Sequence, residues 1–280
     1  MLEAHIRSLH SNDRILKLKI YSCSHNVLFA IQMKKLGLIG YPLGHSFSKK
    51  YYLEKFHQEG ITDVDYDLYP LAQIADFTII ASNKDFYGVN VTIPYKIEVM
   101  DYLDELSEEA HAIQAVNCIR ISHTSDGITH LKGYNTDAYG FEASLKPLLN
   151  PQADKKALIL GNGGAAKAVI YALNQLGITH TLVSRTKQAG QLTYDEIDRA
   201  ILADHTLIIN CSPVGTFPNT AEYPKIPYEF LTENHLCYDL IYNPEETTFL
   251  RKSKEKGARI KNGYEMLVLQ AEKNWEIWNS

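Results

Sequence analysis

Leu158-Ile159-Leu160-Gly161-Asn162-Gly163-Gly164-Ala165-Ala166 is the stretch on which the fold turns. Its three leading apolar residues read as the end of a buried strand, its glycines as a tight turn, and Ala165-Ala166 as the opening of a helix. Gly161 permits the turn, Gly163 lets the backbone approach a pyrophosphate, and Ala166 takes the position where helix and strand must pack closely. The helix N-terminus offers free N–H groups and a partial positive charge to an anion. A lone glycine turn is weak evidence. Here residues 157–160 (strand), 165–176 (helix, closed by Gly177) and 179–183 (strand) supply the βαβ setting. Where an NAD site carries an acid after the second strand, this chain has Ser184-Arg185-Thr186-Lys187. A guanidinium grips a ribose 2′-phosphate bidentately and Lys187 adds charge, so the reading is an NADP site.

Outward from this unit, short apolar runs alternate with amphipathic segments. Strands are expected over 36–39, 64–69, 88–93, 207–210 and 236–240, with a hairpin of 117–122 and 128–133 around Asp126-Gly127. Helices are expected over 48–59 (closed by Gly60), 72–81, 95–103, 105–113, 137–149, 194–203, 245–256 and 263–278. Strands alternating with helices imply an α/β fold with largely parallel sheets. The 280 residues suit about two domains. The division falls near Asp137, giving an N-terminal α/β domain over 33–136 and a Rossmann-like domain over 137–263, with the active site in the cleft between them. Gln270 has no evident role in the second domain, so the helix of about 264–280 is expected to return to the first.

A second informative stretch is Asn90-Val91-Thr92-Ile93-Pro94-Tyr95-Lys96. Val89, Val91 and Ile93 alternate with Asn90 and Thr92, which puts both polar groups on one strand face. Pro94 ends the ladder, and Lys96 then sits at the mouth of whatever Asn90 and Thr92 line. That layout suits a polyhydroxylated small molecule with a proton donor beside it. A half-exposed strand alternates in the same way, and Asn135-Thr136-Asp137 equally suits a helix N-cap, so neither stretch decides alone.

Composition narrows the classes. A net charge of −5 gives no electrostatic reason to expect nucleic acid or an anionic membrane. Cys23, Cys118, Cys211 and Cys237 form no CxxC pair, which suits a reducing cytoplasm. Eleven histidines show no HExxH or mixed Cys/His spacing, so no metal is implied. No apolar run reaches the roughly 20 residues that span a bilayer. Residues 1–32 carry Arg7, Arg14, Lys17 and Lys19 but no clear signal-peptide core, and Met33 reads as a fresh start. The expectation is that Met33 is the functional start and that residues 1–32 are an upstream extension or an artefact that is not native. A monomer and a homodimer are both compatible with the sequence.

At this point the residues resemble one family closely, shikimate dehydrogenase, from about Lys34 to the C-terminal helix. Gly40-Tyr41-Pro42-Leu43-Gly44-His45-Ser46-Phe47-Ser48 resembles its N-terminal signature, whose two serines bind a substrate carboxylate, which implies Ser46 and Ser48. The run from Asn90 to Lys96 is similar to its Asn-Val-Thr-x-Pro-x-Lys motif, implying catalysis by Lys96 and substrate contact by Thr92; Asn90, on the same strand face, is read as a substrate contact too. Ala115-Val116-Asn117 implies a hydroxyl contact by Asn117. Gly133-Tyr134-Asn135-Thr136-Asp137 implies that Asp137 completes a catalytic pair with Lys96. Asn210-Cys211-Ser212-Pro213-Val214-Gly215 and Asp239-Leu240-Ile241-Tyr242 resemble segments lining nicotinamide and substrate, which brings in Tyr242. The run Asn262-Gly263-Tyr264-Glu265-Met266-Leu267-Val268-Leu269-Gln270 resembles the last signature, implying a nicotinamide contact by Gly263 and a substrate contact by Gln270.

The resemblance implies NADPH-dependent reversible reduction of 3-dehydroshikimate to shikimate, on the way to chorismate and aromatic amino acids in the cytoplasm. From the glycine turn and the end of the next strand, Gly161, Asn162, Gly163, Gly164, Ala165, Ser184, Arg185, Thr186 and Lys187 are read as the cofactor site. The chain departs from the pattern at Lys49 (usually proline), Asn162 (commonly alanine) and Ser184 (usually asparagine), and Tyr264 and Glu265 replace smaller residues. Two rivals are a quinate/shikimate dehydrogenase and a non-catalytic NADP-sensing module. The second predicts a decayed catalytic pair, yet Lys96 and Asp137 are both present.

Overall fold

The computed structural model describes residues 33–44, 46–150 and 152–280; the extension assigned to residues 1–32 lies outside them. In chain order the first part comprises β1 (Lys34–Gly40), α1 (Phe47–Glu59), β2 (Val64–Pro70), α2 (Phe77–Ala81), β3 (Phe86–Val91), β4 (Glu105–Leu106), α3 (Glu108–Ile113), β5 (Cys118–His123) and β6 (Thr129–Tyr134). There follow α4 (Asp137–Leu145), β7 (Lys156–Leu160), α5 (Gly164–Gln175), β8 (Thr179–Ser184), β9 (Leu192–Thr193), α6 (Arg199–Asp204), β10 (Leu207–Asn210), β11 (Leu236–Asp239), α7 (Thr248–Lys254), β12 (Arg259–Lys261) and α8 (Tyr264–Trp278).

The strands form two six-stranded sheets. The first runs β2-β1-β3-β5-β6-β4, with β3–β5 and β5–β6 antiparallel and the other neighbours parallel. The second runs β12-β11-β10-β7-β8-β9 and is parallel throughout. Counted from β7, that is the dinucleotide-fold order 3-2-1-4-5-6, with its topological switch between β7 and β10. Leu158, Ile159 and Leu160 are fully buried there, as a strand covered on both faces requires.

The C-terminal helix packs against the first sheet. The Trp278 indole N–H donates to Ile119 O (3.0 Å), and Tyr52 OH donates to Ala271 O (2.8 Å). Tyr52, Tyr66 and Trp278 pack as one aromatic cluster between α8 and the sheet.

Several expected helices are shorter. Residues 95–103 form turns and a 3₁₀ segment, Glu98–Tyr102, because the Lys96 carbonyl accepts Val116 N–H at 2.7 Å and is lost to any helical ladder. Residues 105–106 pair with β6 instead of opening a helix, and Ser107 caps α3 through Ala110 N–H. In 72–81 only Phe77–Ala81 is α-helical, preceded by a 3₁₀ turn, Ile74–Asp76. Strand β3 stops at Val91, two residues before its expected end. Residues 194–203 split into a 3₁₀ turn and α6, which starts at the Asp198 cap.

Candidate active site

At the C-terminal ends of β1 and β3 lies a cavity of about 310 Å³, within the range of small-molecule sites. Ser46, Ser48, Asn90, Thr92, Lys96, Asn117, Asp137, Tyr242 and Gln270 all line it. Lys96 Nζ donates to Asp137 Oδ2 at 2.5 Å. Asn117 Nδ2 donates to the other oxygen, Oδ1, at 2.8 Å. The carboxylate is thus held on both sides and keeps its position at the first turn of α4.

Behind this pair a chain of hydrogen bonds runs into α8. Asn117 Nδ2 donates to Thr136 Oγ1 (3.0 Å), Thr136 Oγ1 donates to Asn274 Oδ1 (2.6 Å), and Asn274 Nδ2 donates to Gln270 Oε1 (3.0 Å). Thr136, Asn274 and Gln270 are buried, so the chain satisfies groups that would otherwise be costly. Asn90 is fixed in the same manner, accepting from Tyr66 OH (2.8 Å) and donating to Asn117 O (3.2 Å). Asn274 and Tyr66 escaped the sequence reading. Each lies on an element that carries other polar residues, Asp65 and Asp67 beside Tyr66 and Glu272 and Lys273 beside Asn274, so neither stood out. Ser46 also caps α1, accepting Lys49 N–H at 3.3 Å, so its helix-capping role and its place on the cavity coexist.

A second cavity, of about 740 Å³, opens at the switch between β7 and β10. Gly161, Asn162, Gly163, Ser184 and Arg185 line it, joined by Tyr194, Cys211, Ser212, Tyr223 and Lys225. Gly161 has φ +105° and lies against Ser212, so the turn needs its glycine. Gly163 faces open space, and α5 begins beside the cavity with no side-chain cap on its first N–H groups. These features fit a pyrophosphate. Tyr223 and Lys225 come from the loop between β10 and β11, which carries no motif that would have flagged them.

Lys187 behaves differently from the sequence expectation. Its ammonium is held by both oxygens of Glu196, at 2.6 and 2.7 Å, and it is absent from the cavity lining. That ion pair, with Thr193, draws the Glu196 carboxyl down to about 2. Gly164, Ala165 and Thr186 flank the turn and the strand end without lining the cavity, and Gly263 packs on the Leu240 backbone. Ser184 Oγ donates to Thr186 O (2.6 Å), which stiffens the segment carrying Arg185.

Ser212 is set in place from below. Its hydroxyl donates to Asn210 Oδ1 (2.7 Å), and Asn210 Nδ2 donates to the buried Asp239 (3.0 Å). Burial pushes the Asp239 carboxyl up to about 6 despite bonds from Thr247, Ile241 and Asn210. Among the described residues no group of acids, histidines or cysteines has metal-binding geometry, and no helix is long and apolar enough to cross a membrane.

The substrate-binding domain model of shikimate dehydrogenase matches residues 38–119. A shikimate dehydrogenase (NADP(+)) of Carboxydothermus hydrogenoformans is 40% identical over 266 residues, spanning 88% of this chain and 92% of that protein. The chain belongs to the shikimate dehydrogenase family. Membership makes it an NADP-dependent oxidoreductase acting on a CH–OH group. A family member solved with NADP+ superposes with a TM-score of 0.76 at 32% identity, covering 88% of this chain and 90% of that one. The Thermus thermophilus shikimate dehydrogenase, solved with NADP(H) and shikimate, gives 0.74 at 29% identity over 88% and 93%.

Proposed function

We propose that the protein interconverts 3-dehydroshikimate and shikimate with NADPH as reductant, the cavity at β1 and β3 taking the substrate and the switch-point cavity taking the cofactor. The domain over 33–136, completed by α8, is the substrate-binding unit, and that over 137–263 binds NADP. The observation that carries the reading is the Lys96–Asp137 contact inside a cavity lined by hydroxyl and amide groups.

NADPH supplies the hydride. As a ketone accepts it, negative charge grows on the carbonyl oxygen, and Lys96 is placed to stabilise that charge and deliver the proton. Asp137 orients the ammonium, and Asn117 keeps Asp137 from turning away. Ser46 and Ser48 present hydroxyls for the substrate's carboxylate; Asn90, Thr92, Asn117 and Gln270 surround its hydroxyl groups, and Tyr242 closes one side. Arg185 is left to recognise the 2′-phosphate. The protein is assigned to the cytoplasm, consistent with the free thiols of Cys118, Cys211 and Cys237 among the described residues.

The test is nicotinamide reduction by purified protein with shikimate or quinate, each offered with NADP+ and NAD+. Turnover confined to shikimate and NADP+ supports the reading. A preference for quinate moves the protein to the rival dehydrogenase, and silence in all four assays moves it to the sensor.

A further inference from the structure

Tyr264 opens α8 half exposed, and its ring meets a residue of the substrate cavity. Its centroid lies 5.8 Å from that of Phe47, with the planes at 89°. Tyr242 approaches the same phenyl ring at 5.7 Å and 68°, and Tyr51 stacks on it at 5.5 Å and 19°. Phe47 is therefore the hub of four rings drawn from α1, from the loop after β11 and from the start of α8. Edge-to-face contacts of this kind are directional, because the positive ring edge seeks the negative face. They fix an orientation as well as burying area.

Phe47 stands between Ser46 and Ser48; upstream, Tyr41 N–H donates to Ile93 O (3.1 Å) and Leu43 packs against the core that holds Tyr52 and Tyr66. Tyr41 and Gly44 are exposed, and a Cβ at Gly44 would meet no atom within 4 Å. Lys49, the residue after Ser48, is anchored through its ammonium on Asp67 Oδ1 at 2.6 Å. Downstream, Tyr51 OH donates to Glu272, and Lys55 Nζ reaches the same carboxylate at 2.9 Å. Helix α8 thus grips α1 at two points, Tyr264 and Glu272, about 12 Å apart along its axis. Two separated grips prevent α1 from rolling, and its first turn carries both serines.

We infer that Tyr264, with Tyr242, clamps Phe47 and thereby sets the positions of Ser46 and Ser48, making Tyr264 a positioning residue for the substrate's carboxylate. The inference rests on the proposed role of the two serines in substrate binding. The clamp also ties the serine loop to the nucleotide-binding domain, since Tyr242 leaves β11 of that domain. A carboxylate is bound equally in ground and transition states, so loosening its site raises KM and spares kcat.

Steady-state kinetics with shikimate and NADP+, together with NADP+ titration of the protein's fluorescence and a thermal melt, test the idea on wild type, Tyr264→Ala and Tyr264→Phe. Tyr264→Ala is expected to raise the shikimate KM about tenfold, with kcat and NADP+ Kd within about twofold of wild type. Tyr264→Phe, which keeps the ring, should restore KM. In a Ser46→Ala/Ser48→Ala background Tyr264→Ala should add little to KM, because no serine hydroxyl is left for the clamp to position. An unchanged KM in Tyr264→Ala overturns the clamp, and so does a parallel fall in kcat, NADP+ binding and melting temperature. Full additivity with the double serine variant overturns it as well. A wild type that oxidises no shikimate removes the functional reading and the clamp together, whereas an active wild type isolates the clamp.

Discussion

Lys96 Nζ lies 2.5 Å from Asp137 Oδ2, although the two residues are 41 positions apart and arrive from the end of β3 and the start of α4. The contact is half-shielded, with the lysine side chain 27% and the aspartate 16% exposed, so substrate still reaches the ammonium. Lys96→Ala removes the proton donor and leaves the switch-point cavity untouched. We expect kcat to fall by about 10²- to 10⁴-fold, the usual contribution of a general acid, with NADP+ affinity preserved. Turnover near wild type in that variant would take Lys96 out of the chemistry.

Cofactor choice should depend on one cation of the pair that the sequence nominated. Arg185 lines the cavity, while Lys187 is occupied by Glu196. Arg185→Asp is expected to weaken NADP+ and strengthen NAD+, reversing the preference. Lys187→Gln should shift NADP+ affinity by less than about threefold, in keeping with the small worth of a solvated, already paired charge. Calorimetric titration of both nucleotides into each variant decides the matter; equal losses of NADP+ affinity would return Lys187 to the phosphate site.

The glycine turn, the hairpin at Asp126-Gly127 and the helix stop at Gly60 were legible because each is a local backbone demand, met here by Gly127 at φ +86° and Gly60 at φ +68°. Strands β9 and β12 were not, since two or three residues are too few to show a period. The supposed helix at 95–103 failed for a non-local reason: Val116, 20 positions away, takes the Lys96 carbonyl. At the site, the lining residues stood in recognisable motifs. The Thr136–Asn274–Gln270 chain joins segments that only the return of α8 brings together.

Asp239 supplies a pH prediction. It is fully buried, and its carboxyl is raised from 3.8 to about 6 by burial. The native state then binds the proton more tightly than the unfolded chain, so this group's contribution to stability is present below about pH 4 and is lost as pH rises through about 6. The loss amounts to about 3 kcal/mol, at roughly 1.4 kcal/mol per unit. Asp239→Asn keeps a carbonyl for Asn210 Nδ2 and Ile241 N–H, and its amide donates to Thr247 Oγ1 in place of accepting from it. Urea unfolding at pH 4.5 and 7 should show the variant gaining stability relative to wild type at the higher pH. Parallel pH dependences in the two proteins would contradict the assignment.

Gly263 has a structural duty separable from any contact with nicotinamide. Its φ of −79° is open to every residue, so conformational freedom is not why a glycine stands there. The reason is proximity: a Cβ would lie 2.1 Å from Leu240 O and 2.6 Å from its carbonyl carbon. Backbone atoms cannot swing aside as a flexible side chain can, and the Gly263 N–H is tethered to Ile241 O at 3.1 Å. Gly263→Ala must push the start of α8 away from β11, at a cost of about 1–3 kcal/mol, typical of overpacking. For a chain of this size that lowers Tm by several degrees, at about 2–4 °C per kcal/mol. The melt is run without NADP+, because a glycine needed only for cofactor contact predicts an unchanged Tm under that condition. A drop in the cofactor-free melt therefore establishes the packing role, and an unaltered melt with weakened NADP+ binding refutes it.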